Sequence, residues 1–214
     1  MLREVRSILL DISTAPIENA AEFIDRDSIE PPDSYVKPEA IEAYKDREFK
    51  KRMDKTGLDL DLARITGIGW QRRMPDGELV IDLCRDDQDE CDALATLATV
   101  IGHDQRLISY NGLSFDWPML MRRARYLGVP FPVINCDRYK SPHIDLMALL
   151  SLHDPSRRRS LGFYARRLGM GLSKPLSGAE EAQVPVSGRW QELEASLRHD
   201  VEALHKLAVW AGVL

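Results

Sequence analysis

Ser109-Tyr110-Asn111-Gly112-Leu113-Ser114-Phe115-Asp116-Trp117-Pro118 is the stretch on which the fold turns. Arg106 to Tyr110 reads as a strand, Asn111-Gly112 as a turn, and a helix is expected from about Asp116 to Tyr126. Asn and Gly tolerate the left-handed backbone of such a turn, and Pro118 suits a first helical turn. Phe115 and Met119 would pack inward and aim Asp116 along the carboxyl edge of a sheet. A role as helix N-cap also explains an aspartate here.

Working outward, Val5 to Ile12 is expected to be a central strand buried on both faces, stopped by Ser13-Thr14-Ala15-Pro16. Asp11 follows Ile8-Leu9-Leu10, where a carboxylate is costly unless it meets a cation or hydrogen-bond donors. The last helix is expected over about Gly188 to Trp210, with Trp190, Leu193, Leu197, Val201, Leu204 and Ala208 as one apolar stripe. Asp200 falls roughly 60° from the centre of that stripe, at the edge of the buried face, whereas His199 and Glu202 fall on the opposite, solvent side.

Between these anchors, Ala63 to Arg72 and Leu79 to Leu83 read as strands joined by a Met74-Pro75-Asp76-Gly77 turn. Helices are expected over Asp89 to Ile101, Ile144 to Leu152 and Ser160 to Leu168. Gly67-Ile68-Gly69 lacks the third glycine and following helix of a dinucleotide fingerprint. The order implies an α/β fold, a mixed sheet flanked by helices, forming a single domain over residues 1–214. Residues 17–61 read as an insertion or flap after the first strand, carrying a weakly amphipathic helix from about Pro38 to Lys55.

Composition sets the outer limits. The net charge of −5, with 44% hydrophobic and 29% charged residues, excludes indiscriminate nucleic-acid coating but leaves room for a local basic groove. No apolar run approaches a membrane span, and the amino-terminal apolar stretch is too short for a signal peptide, so a cytoplasmic location without membrane association is expected. Cys84, Cys91 and Cys136 show no zinc spacing and are expected to be reduced thiols. Oligomeric state is not readable.

Acids at the end of one strand, the start of one helix and the inner edge of another have the makings of a divalent-metal site. Hard cations need several carboxylate oxygens, and such a site can activate water for phosphodiester hydrolysis. These segments resemble the three exonuclease motifs of the DEDD superfamily of 3′–5′ exonucleases, which have an RNase H-like fold. They are most similar to predicted exonucleases related to the proofreading domain of family B DNA polymerases. The first motif, Asp-x-Glu-Thr, corresponds to Asp11-Ile12-Ser13-Thr14, and the second, Asn-Gly-x-x-Phe-Asp, to Asn111 through Asp116. The third is matched through Asp200-Val201.

The resemblance implies Asp11, Asp116 and Asp200 as catalytic residues and ligands of Mg2+ or Mn2+ in a two-metal site. It places Ser13, Thr14, Asn111 and Phe115 against the substrate, a single-stranded nucleic acid 3′ end, DNA or RNA. Two departures stand out. Ser13 replaces the acid of the first motif, and Ser196 and Ala195 stand where the third motif has a tyrosine or histidine base. Ser196, His143 and Asp145 are auxiliary candidates, as are Glu18, Glu22, Asp25 and Asp27 from the long segment. Basic groups at Arg122, Arg123 and Arg125, at Arg157 to Arg159, and at Arg166 and Arg167 near Lys174 could meet phosphates. Trp117, Phe163 and Tyr164 could stack on bases. The expectation is an attenuated metal-dependent 3′–5′ exonuclease. The alternatives are an inactive relative that binds nucleic acid or a protein partner, and a hydrolase of small phosphate esters.

Overall fold

The computed structural model describes residues 7–73, 77–101, 106–171 and 173–214. Its sheet has five strands: β1 (Ser7–Pro16), β2 (Ala63–Arg73), β3 (Leu79–Leu83), β4 (Arg106–Ser109) and β5 (Ile144–Asp145), in the order β3-β2-β1-β4-β5. β1 pairs antiparallel with β2 and parallel with β4. β2 to β3 is antiparallel and β4 to β5 parallel. The expected mixed α/β sheet is thus the observed one. Residues 74–76 of the expected hairpin turn, and Val5 and Arg6 of the first strand, lie outside the described residues.

β1 is central because its residues are apolar on both faces. Ile8, Leu10 and Ile12 point into one core, with Ile68, Leu94, Leu97, Trp117 and Leu120. Leu9 points into the other, with Ile108, Tyr110, Val201, Leu204 and Leu207. The period of two places Asp11 and Ser13 on the Leu9 face. The first core is covered by α2 (Asp87–Val100) and α3 (Asp116–Tyr126), and the second chiefly by α8 (Trp190–Trp210).

Several boundaries differ from expectation. β1 does not stop at Ser13: it continues to Pro16, with a register shift against β2 between Ser13 and Thr14. Ladder pairing with β2 outweighs the turn propensities of Ser, Ala and Pro, and Pro16 sits last, where a missing N–H matters least. Ile144-Asp145 is strand β5 and not helix, because it pairs with β4, and α4 begins only at Leu146 (Leu146–Leu150). α5 spans Leu161–Arg167, capped by Ser160, whose Oγ accepts from Phe163 N at 3.1 Å. Two short helices that sequence reading missed, α6 (Gly178–Glu181) and α7 (Val184–Ser187), lie between α5 and α8.

α8 lies unusually close to the sheet. A Cβ on Gly67 would come within 2.5 Å of Leu197 Cδ1, and one on Gly69 within 2.9 Å of Val201 Cγ2. The Gly67-Ile68-Gly69 pattern is therefore a seat for this helix. Within 17–61, α1 (Pro38–Met53) has no buried residue. Its neighbouring segment is tied to it by Arg26, which pairs with Glu42 at 2.7 Å and Asp46 at 2.6 Å. Both ends of the stretch meet at the sheet, where Ile17 N donates to Leu62 O at 2.9 Å. Among the described residues no helix is long and apolar enough to cross a membrane. The three cysteines are free.

Candidate functional site

The turn before α3 is built around its own side chains. Asn111 takes a left-handed backbone, φ 67°. A Cβ on Gly112 would fall 2.0 Å from Ser109 Oγ, so only glycine fits beside it. Asp145 braces this turn from β5: its Oδ1 accepts from Asn111 N at 2.9 Å while also capping α4 through Met147 N and Ala148 N. Phe115, at the N-cap of α3, packs against the core. Asp116 is the first helical residue and not the cap. It is buried, and its Oδ1 accepts from Ile12 N at 3.2 Å, which sets the carboxylate beside the chain of Asp11.

Asp116 and Asp200 both lie near enough to act on the charge of Asp11, which stands midway along β1, just past the end of its pairing with β4. Burial, then the charges of Asp200 and Asp116, hold the Asp11 carboxyl well above its ordinary value, against the opposing pull of Lys174. Burial pushes Asp116 up to about 7, despite its backbone hydrogen bonds. Carboxylates so placed are short of positive charge.

Two further residues stand in this cluster. Glu181, on α6, is 8% exposed. Its Oε2 accepts from Ser13 Oγ at 3.1 Å, and its Oε1 lies 2.8 Å from Lys174 Nζ, although no hydrogen bond reaches that oxygen. Lys174 also pairs with Asp200 Oδ2. Burial lowers the pKa of the Lys174 ammonium, but Asp200 and Glu181 outweigh it and hold it raised. Asp200 Oδ1 accepts from His199 Nδ1 at 2.9 Å; a carboxylate can only accept, so Nδ1 carries the proton.

His199 is thus not the surface residue its helical position implied: it is 9% exposed. The chain at 173–177 returns over that face of α8, held by Leu176 N donating to Ser196 Oγ at 3.1 Å. Ser196 is accordingly a buried anchor for this loop. A cleft of about 600 Å3 opens here, lined by Asp11, Tyr110, Arg166, Lys174, His199 and Asp200 among others.

Other sequence candidates lie elsewhere. Thr14 Oγ1 donates to Gly57 O, toward the end of the long segment. His143 Nδ1 accepts from Leu107 N at 3.3 Å. Leu107 is level with Ile8, three residues back from Asp11 or roughly 10 Å along the strand, so His143 is no rescue for the site. Glu18, Glu22, Asp25 and Asp27 are exposed and outside the cleft. Trp117 is fully buried, its Nε1 donating to Ser109 Oγ, and cannot stack on a base. Arg123 forms a two-pronged buried pair with Glu90, both contacts 2.8 Å, and Arg122 pairs with Asp61. Arg166 lies on the cleft wall, and Arg157 to Arg159 are exposed.

Sequence reading missed Glu181 and the pairing of Lys174. One signal was available: Ser177-Gly178-Ala179-Glu180 is a capping-box pattern, and both of its reciprocal contacts form. It announces α6, though not where α6 docks.

All-carboxylate donors suit a hard divalent cation, and Glu181, whose Oε1 is met by Lys174, adds a fourth acid. As the side chains stand, with Lys174 paired among them, no three Asp, Glu, His or Cys residues among those described are gathered to hold one.

The RNase_H_2 family, described as the RNase_H superfamily, matches residues 53–211. None of the curated proteins compared matches the chain in sequence. Among solved structures, the family B DNA polymerase of the hyperthermophilic archaeon Pyrobaculum calidifontis is similar at a TM-score of 0.57 and 15% identity. The similarity covers 96% of this chain and 24% of the polymerase, so the chain spans about a quarter of that protein's length. An exonuclease I structure, described as suggesting how processivity is achieved, aligns at a TM-score of 0.40 and 13% identity, over 96% of this chain and 41% of that one.

Proposed function

Because the chain belongs to the RNase_H superfamily, we propose that it is a 3′–5′ exonuclease hydrolysing phosphodiester bonds at single-stranded DNA or RNA ends with Mg2+ or Mn2+. The observation that supports this most is the meeting of Asp11, Asp116 and Asp200 beside a cleft large enough for a terminal nucleotide. The fold shared with a DNA polymerase favours a nucleic-acid substrate.

In this reading Asp11, Asp116, Asp200 and Glu181 hold the cation, which when bound supplies positive charge to the phosphate and lowers the pKa of a water. Arg166 draws the strand's phosphate to the cleft. Asn111, fixed by Asp145, positions the terminal residue. His199 stands in for the absent third-motif base: with Nδ1 committed to Asp200, its Nε2 is the nitrogen left to take a proton.

A second reading, binding without hydrolysis, is favoured by Lys174, whose ammonium already neutralises part of the cluster. Incubating a labelled single strand with Mn2+ separates the two. The exonuclease reading expects stepwise shortening from the 3′ end that Asp11→Ala removes at least about 100-fold. It expects His199→Gln to slow the reaction while leaving strand binding intact. Equal strand binding by wild type and Asp11→Ala, with no shortening by either, would establish the binding module instead.

A further inference from the structure

The acid missing at position 13 has not left the cluster short of carboxylates. Ser13 Oγ donates to Glu181 Oε2 at 3.1 Å, so the first-motif position now holds a carboxylate delivered from α6. What differs more is the charge beside it. Lys174 Nζ lies 2.8 Å from Glu181 Oε1 and also contacts Asp200 Oδ2, which brings a fixed positive charge among four acids. Its loop is pinned just after the lysine: Leu176 N is held by Ser196 Oγ, and α6 is closed by the Ser177–Glu180 capping box. The Lys174 side chain keeps 30% of its exposure, so it has a route outward into the cleft.

We propose that Lys174 is a built-in counter-ion that excludes one divalent cation from this cluster, the protein taking up one ion fewer with the lysine than without it. The argument is electrostatic. An ammonium in contact with Asp200 and Glu181 occupies the carboxylate oxygens that a further divalent cation would need and repels that ion, so each weakens the other's hold on the cluster. Uptake of the excluded ion requires the lysine to swing into the cleft. This rests on the reading of the cluster as a cation site, but not on hydrolysis.

The test is a Mn2+ binding isotherm, free ion read by electron paramagnetic resonance, for wild type, Lys174→Met and Lys174→Arg. The methionine variant is expected to bind one more ion, the shared carboxylates holding it at least about tenfold tighter; the arginine variant is expected to resemble wild type. Should Lys174→Met fail to fold, the wild type supplies its own measurement: acylation of the Lys174 amine, followed by mass spectrometry, is expected to quicken severalfold under saturating Mn2+. Equal ion numbers and affinities in wild type and the methionine variant, or labelling indifferent to Mn2+, would overturn the inference while leaving the exonuclease reading standing. Absence of Mn2+ binding by every form would sink both. A protein that binds Mn2+ with the expected difference but degrades nothing would sink the exonuclease reading alone.

Discussion

Ser13 and His199 carry the clearest lessons at the scale of single residues. A serine in an acid's place looks like a loss until the fold brings Glu181 to its hydroxyl, 168 positions away in sequence. His199 looks solvated on a helical wheel because a wheel knows one helix and not the loop that folds back over it. Asp116 and Asp11 were legible, since strand–turn–helix grammar aims them at one edge. His143 offers a test of a different kind. Its Nδ1 must stay unprotonated to accept from Leu107 N, and burial lowers its pKa below the ordinary 6.5. The unfolded chain therefore binds the proton more readily than the folded one. The stability this contact contributes is complete above pH 6.5 and is lost as pH falls below it. Melting curves between pH 8 and pH 5 should show wild type losing more stability on acidification than His143→Gln; parallel losses in both would show that this histidine does not couple folding to pH.

At the scale of elements, α8 and its glycine seat decide where Asp200 stands. Periodicity identified the helix and its sheet-facing stripe, and the glycines at 67 and 69 were noticed but given no purpose. Their role needs knowledge of which helix crosses them. Gly69→Ala would set a methyl against Val201 Cγ2 at 2.9 Å. Valine in a helix has essentially one side-chain rotamer, so the helix and not the side chain must give way. Overpacking of this kind costs about 1–3 kcal/mol, offset by less than 1 kcal/mol from the reduced freedom of the unfolded strand. The expected result is a melting temperature lower by roughly 3–8 °C. Asp200, next to Val201, moves with the helix, so any nuclease activity should fall by more than the fraction unfolded. An unchanged melting temperature would mean that α8 is held less tightly than the close approach implies.

The whole molecule divides into a sheet core, whose central strand was readable as buried on both faces, and the stretch after β1, which was readable as polar with one weakly amphipathic helix. We propose that residues 17–61 are an insertion on the β1–β2 connection. Ile17 N donates to Leu62 O at 2.9 Å, and Pro16 pairs with Ala63, so the two strands meet like a hairpin whose loop has been extended. α1 contributes no buried residue, and its ties to Arg26 are exposed ion pairs of the sort worth little to stability. Its sixteen residues span about 24 Å, a distance that roughly eight extended residues can cover. Replacing Pro38–Met53 by a glycine-serine linker of that length should therefore leave the melting temperature within about 2 °C. Ala20 and Ile29, which are buried, stay in place in that variant. If α1 guides a strand toward the cleft, the variant should lose affinity for long single strands while cleaving dinucleotides as before. A large fall in melting temperature would make α1 part of the folding unit, and equal loss on long and short substrates would remove it from strand guidance.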